Sequence, residues 1–210
     1  MTQATVHDVT TIPRITHDEA MRIAKVENRE FVRQVRQGRP LVAEIGGQFW
    51  WDGMNEIQVR ERTGLSTEQL VAEWDAASAK ALRARTRLPR LVAKLPLLNL
   101  PTPVGRQPLS YLFDVGFTRD VWMHRIDLAR ATAKSLDVDP EHDARIVADL
   151  VAEWASTHGE PFTLTLSGPA GGKFRAGTGG EHVDMDATEL CRILAERGHG
   201  TGILRHTLPL

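Results

Sequence analysis

The sequence predicts an α+β protein, with a helical first domain over residues 1–138 and a small α+β second domain over 139–210. Three observations predict it. Apolar residues recur at helical spacing through most of the chain up to Ser135. Asp139 followed by Pro140 and Glu141 opens a new helix. After Gly159 the apolar period then drops to two in PFTLTLSG.

The elements follow in order. Thr16 is a candidate N-cap with Glu19 three residues on. Ala20, Ile23, Ala24, Phe31 and Val35 carry a helix to Arg36, stopped by Gly38 and Pro40. EIGGQFWWDG, residues 44–53, joins paired glycines to paired tryptophans and reads as a compact loop packed on the core. A short helix is expected over Asn55 to Arg62. A stronger one opens at Ser66 and runs to Leu88, acidic early (Glu68, Glu73) and basic late (Lys80, Arg83, Arg85, Arg87), as the helix dipole prefers. Pro96, Pro101, Pro103 and Pro108 break the next stretch into a connector. Leu109 to Ser135 is the third main helix. Ile146, Val147, Leu150, Val151 and Trp154 carry the helix that starts at Asp139 to His158. Phe162, Leu164 and Leu166 alternate with threonines in a half-buried strand. KFRAG and EHVDM are two further strands, with the Gly-rich GPAGG and AGTGGE as hairpin turns. Ala187 to Arg197 returns to helix and Gly202 to His206 to strand.

Composition narrows the function. With 26 basic and 27 acidic residues the net charge is −1, so no positive field exists to hold phosphate backbones, and a nucleic-acid partner is not expected. The single cysteine, Cys191, excludes an intrachain disulfide and fits a reducing compartment, and it sits in an apolar helical pattern where an inert thiol is expected. The polar start, MTQATVHDVTTIP, has no export signal, and no run approaches a membrane span. The expectation is a cytoplasmic protein without membrane contact.

Spacing of about 100° per residue places Phe113, Phe117, Asp120, His124, Asp127, Leu128 and Ala131 on one face of the third helix. Polar groups among apolar neighbours need one another, a hydrogen-bond network or a metal. The i, i+4 pair Asp120 and His124 can converge on one ion. The same spacing also suits a hydrogen-bonded carboxylate and imidazole. Asp127, one turn on, either orients the imidazole or pairs with Arg125 or Arg130.

The run YLFDVGFTRDVWMHRIDLARATAKSLDVDPEHDARIVADLVAEWA resembles the mycothiol-dependent maleylpyruvate isomerase family. The resemblance continues through PFTLTLSGPAGG to DATELCRILAERGHGTGILRHTLPL and back through WWDGMNEIQVRERTGLSTEQL, covering roughly residues 44–210. It implies a DinB-like four-helix bundle followed by a small C-terminal domain. It also implies a divalent metal, zinc above all, and mycothiol as thiol cosubstrate for a small electrophilic molecule. The family's metal ligands are the carboxylate and histidine of an E-x-x-x-H element and a histidine on an earlier helix. Asp120-Val-Trp-Met-His124 occupies that element, with Asp for Glu.

The family's earlier helix, of the type W-x-V-x-D-V-x-A-H-L, is absent, so the bundle reads as one helix short. His17 is the substitute third ligand by position, or else an exposed first-turn residue. A bundle lacking a helix also raises the expectation of a homodimer, or of a metal-free binding relative of the family. By the resemblance, Asn55 and Gln58 fall on a helix beside the family's cavity, where they contact cofactor or substrate or else are solvated helix positions. By the same resemblance, Arg192 and Arg197 fall in a domain that helps hold the thiol or an acidic substrate; Arg192, with Asp127 by its place beside His124, is the candidate for a catalytic part. The remaining histidines, His142, His158, His182, His199 and His206, show no ligand spacing and are read as surface residues.

Overall fold

A computed structural model of the chain describes residues 5–38, 60–100 and 104–208. Helices and strands are mixed, as an α+β reading requires. They gather into two compact units that are not successive halves of the chain. The first comprises Met1–His17, Lys94–Gly116 and Asp137–Leu210, the second Asp18–Ala93 and Phe117–Leu136. The expected division at residue 138 is therefore corrected. A break does fall at Asp137, but two earlier segments group with the C-terminal region.

The first unit is built on a four-stranded sheet in the order β1-β5-β4-β6. β4 (Phe162–Ser167) turns sharply into β5 (Gly172–Ala176) and pairs with it antiparallel, so GPAGG is a hairpin turn as expected. AGTGGE is not. β6 (Glu181–Asp186) lies on the far side of β4 and pairs with it in parallel, so residues 177–180 cross the start of β4. Gly180 makes that crossing with φ +83, where a Cβ would lie 1.9 Å from the Pro161 carbonyl oxygen. Only glycine fits such an approach.

The edge strand was not expected. β1 (Val6–Asp8) pairs in parallel with β5, Val6 opposite Lys173 and Asp8 opposite Arg175. Asp8 then caps a 3-10 turn, Val9–Thr11, by accepting the Thr10 N–H at 3.0 Å. Further anchors follow. Arg145 donates to the Pro13 carbonyl at 2.8 Å, and the Ile15 N–H donates to the fully buried Asp149 at 3.1 Å.

Helix α6, Pro140–His158 in this numbering, opens as the sequence predicts. Asp139 accepts from the N–H groups of Glu141 and His142, proline stands in the first turn, and Gly159 closes the helix at φ +68. Its Ile146, Val147, Leu150, Val151 and Trp154 are fully buried. α6 packs on β5, α7 (Ala187–Leu194) packs on β6, and the two helices touch. Phe162, Leu164 and Phe174 from the sheet complete this core, with Leu190, Cys191 and Leu194 from α7. Each such side chain contributes about 1.5–3 kcal/mol by leaving water. Gly202–Arg205 is a 3-10 turn rather than the expected strand. Gly202 sits at φ +58 and the Ile203 N–H donates to Glu181, a turn geometry that no sheet ladder admits.

The proline-broken connector contains a two-residue hairpin, β2 (Leu98–Asn99) with β3 (Arg106–Gln107). It leads into α4 (Leu109–Tyr111), whose Tyr111 hydroxyl donates to the buried Glu153 at 2.8 Å. The expected third main helix is thus helical from Leu109 to Ala131, but Leu112–Gly116 is wound as π-helix.

The second unit is helical. α1 (His17–Gly38) begins beside the expected cap Thr16, and Ala20, Ile23, Glu27 and Phe31 mark its buried face. α2 (Thr67–Arg87) has the full reciprocal cap at Ser66 and Gln69. A single turn, α3 (Arg90–Ala93), follows. Phe31, Val32, Val71 and Leu128 form the core, with Trp74 and Val121 against it and the Phe31 and Trp74 rings 4.4 Å apart. Residues 60–62 are helical, while the rest of the predicted 55–62 helix and the 44–53 loop lie outside the described residues.

Candidate functional site

α5 (Phe117–Ala131) carries the predicted chemistry. Its buried side is formed by Thr118, Trp122, Met123, Ile126 and Ala129. Asp120, His124 and Asp127 lie on another side, as a half-exposed stripe with side chains 39%, 22% and 33% accessible. Phe117, at the head of that stripe, is 47% exposed. The expected apolar face is therefore corrected. The helix is apolar on more than one side, and the larger cluster around Trp122 and Met123 takes the interior.

The stripe still brings its three polar groups together. His124 Nε2 stands 3.5 Å from Asp120 Oδ1, and its Nδ1 stands 3.6 Å from Asp127 Oδ2. The imidazole is thus flanked by a carboxylate at each ring nitrogen. Both separations exceed a good hydrogen bond. On one tetrahedral zinc ion at ordinary bond lengths, two ligand atoms sit about 3.3 Å apart, close to the Asp120–His124 separation. Asp127 lies nearest the opposite nitrogen, 3.6 Å away, too far in this structure for the hydrogen bond by which a carboxylate fixes the tautomer of a ligating histidine. Among the described residues the stripe brings two ligand atoms together, one carboxylate oxygen and one imidazole nitrogen, both of kinds that bind a divalent ion but fewer than the three or four protein ligands of an ordinary zinc site. Arg125, a candidate partner for Asp127, is buried and lies 3.6 Å from Glu27.

The other predicted residues have these places. His17 belongs to the first unit, where its Nδ1 is 3.0 Å from Asp114 Oδ1. Arg192 donates to both carboxylate oxygens of Glu189 at 3.0–3.1 Å and to the Arg197 carbonyl at 2.8 Å, tying off the end of α7. Arg197 donates to the Ala195 carbonyl at 3.3 Å. Asn55 and Gln58 lie outside the described residues.

Sequence reasoning missed a second cluster. His158 and His206, both read as surface residues, stack with ring centroids 5.0 Å apart beside Trp154 and Glu160. Nothing in their spacing signals it.

Among the described residues no helix is long and apolar enough to cross a membrane. No protein-family model, curated protein or solved structure matches the chain.

Proposed function

We propose that this chain is a metal-dependent, thiol-using enzyme of the maleylpyruvate isomerase type, its metal held by Asp120 and His124. The observation that carries this reading is the flanking of His124 by Asp120 at one ring nitrogen and Asp127 at the other. Asp120 and His124 would supply the ligand atoms, and Asp127, 3.6 Å from Nδ1, would close on it to hold the proton there, so that Nε2 keeps its lone pair for the ion. Bound there, a divalent cation would lower the pKa of a low-molecular-weight thiol, with mycothiol as the cosubstrate, and ready it for attack on a small electrophile. The half-exposure of the stripe leaves room for that thiol and its substrate. His17 as a third ligand, a DinB-like bundle and contacts from Asn55, Gln58, Arg192 and Arg197 belong to the same reading and rest on the resemblance.

The test is metal stoichiometry by elemental analysis on the purified protein and on His124→Ala. Near one zinc, nickel or manganese per chain, lost in the variant, is the expected result. The same half-exposure favours a second reading, a metal-free binding or dimerising relative in which Asp120, His124 and Asp127 are a solvated ion-pair stripe. A metal-free protein whose solution mass is that of a dimer, unchanged by His124→Ala, would establish the second and remove the first.

A further inference from the structure

Residues 158–162 are where α6 ends, β4 begins and the 177–180 crossing passes, and the C-terminal segment docks on the same spot. His158 Nδ1 accepts the Glu160 backbone N–H at 2.9 Å. That bond requires the neutral ring with its proton on Nε2, which is buried and has no hydrogen-bond partner. The His158 ring lies 4.5 Å from the Trp154 ring and 5.8 Å from Phe162, and stacks on His206 at 17° between planes. His206 in turn reaches Glu160 Oε1 through Nε2 at 2.8 Å, Arg205 reaches the same oxygen at 3.1 Å, and the His206 carbonyl accepts the Trp154 indole N–H at 2.7 Å.

We infer that His158, His206 and Glu160 form a proton-operated latch, which holds residues 204–207 on the end of α6 while His158 is neutral and releases them when its ring takes a second proton. An imidazolium carries a proton on both nitrogens, so a ring flip cannot restore an acceptor for the Glu160 N–H. The new charge would sit on a half-buried ring between Trp154, Phe162 and His206 and near Arg205, and among the described residues Glu160 is the anion that opposes this charge. Relief requires the His158 ring to swing out, which breaks the stack that supports His206.

The electrostatics agree. Burial first, then the charge of His206, hold the His158 pKa below its ordinary value of 6.5, with Glu160 opposing. The unfolded or released ring therefore binds protons more readily than the latched one. Latch stability is complete above about pH 6.5 and falls as pH drops below it, through the lowered folded value. The Glu160 carboxyl, lowered chiefly by its hydrogen bond from His206, keeps its charge throughout that window and fails only below 4.5. Other ties persist: Ile203 N–H to Glu181 and Leu208 N–H to Leu194 hold the segment near the fold, so release is local.

The experiment is amide hydrogen exchange at pH 7.5 and 5.0 on the full chain, corrected for intrinsic rates, for wild type and His158→Asn. Asparagine offers an acceptor where Nδ1 stood and does not titrate. Wild type is expected to lose at least about tenfold protection at the Glu160 and His206 amides at pH 5.0, with the Ile203 and Leu208 amides unchanged. His158→Asn should keep equal protection at both values. Equal pH dependence in both proteins, or undiminished protection in wild type at pH 5.0, overturns the latch. If the asparagine variant is unprotected even at pH 7.5, His206→Gln decides instead. It keeps a donor toward Glu160 and leaves His158 titrating, so a pH-independent amide at Glu160 there would also overturn it.

Discussion

At the scale of single residues, the informative side chain is Asp127 rather than either ligand. On the proposed reading, removing Asp120 or His124 would abolish ligation, whereas Asp127 would act only through the imidazole. Asp127→Asn keeps the size of the side chain and removes its charge. Metal affinity is expected to fall roughly 10- to 100-fold while the fold is retained. Competition against a chromogenic chelator measures this directly, and an unchanged affinity would show that Asp127 does not touch the imidazole function. The residue scale is also where sequence reasoning was least complete. Asp120 and His124 were legible because four residues make one turn. Their half-exposed placement was not, since Phe113 and Phe117 on their side competed with Trp122, Met123 and Ile126 elsewhere on the helix. A period identifies a helix and leaves undecided which apolar stripe wins the interior. His158 and His206 were illegible for a different reason, because only the completed fold stacks rings so distant in sequence.

Elements were more legible where their signals are local. Ser66, Asp139 with Pro140, and Gly159 all start or stop helices through contacts within three or four residues, and the structure places each in its expected part, with Gln69 completing the cap at Ser66. The alternation of Phe162, Leu164 and Leu166 likewise fixed β4 and its buried face. Strand partners are not local information. AGTGGE reads as a hairpin turn by composition, yet it carries the chain across β4 to a parallel pairing. That crossing depends on the close pass of Gly180 over the Pro161 carbonyl. Gly180→Ala must move backbone or strain φ, and a loss on the order of 1–3 kcal/mol in stability is expected. Urea denaturation of the variant checks it. Gly179→Ala, also at positive φ but with open space around a Cβ, is the control that separates strain in φ from the collision.

For the molecule as a whole, the unexpected fact is that the N-terminal residues are part of the C-terminal sheet. β1 lends β5 a neighbour on one edge, the 3-10 turn after it packs on α6 and β5, and Ile15 and Pro13 engage charged side chains of α6. Three residues of strand give no readable pattern, and the pairing joins segments far apart in the chain, so no element is legible in the polar opening. Removing residues 1–11 should cost at least about 2 kcal/mol, from the burial of Val9 and the lost ladder. It should also leave β5 as an open edge prone to self-association. Thermal melts and light scattering at several concentrations measure the two effects, and a truncated chain as stable and monodisperse as the full one would show that β1 is dispensable.

The pairing of Val6 with Lys173 also sets a schedule for biosynthesis. A nascent chain displays its first strand long before the partner strand exists. At ~5–20 residues per second the interval is on the order of ten seconds or more. During it the helices of the second unit can condense, at least up to Ala93, while the sheet cannot close until β4 and β5 have left the ribosome. A segment made well before its partner is thus among the last to settle, and its exposure to proteases and chaperones while it waits follows from the strand order alone.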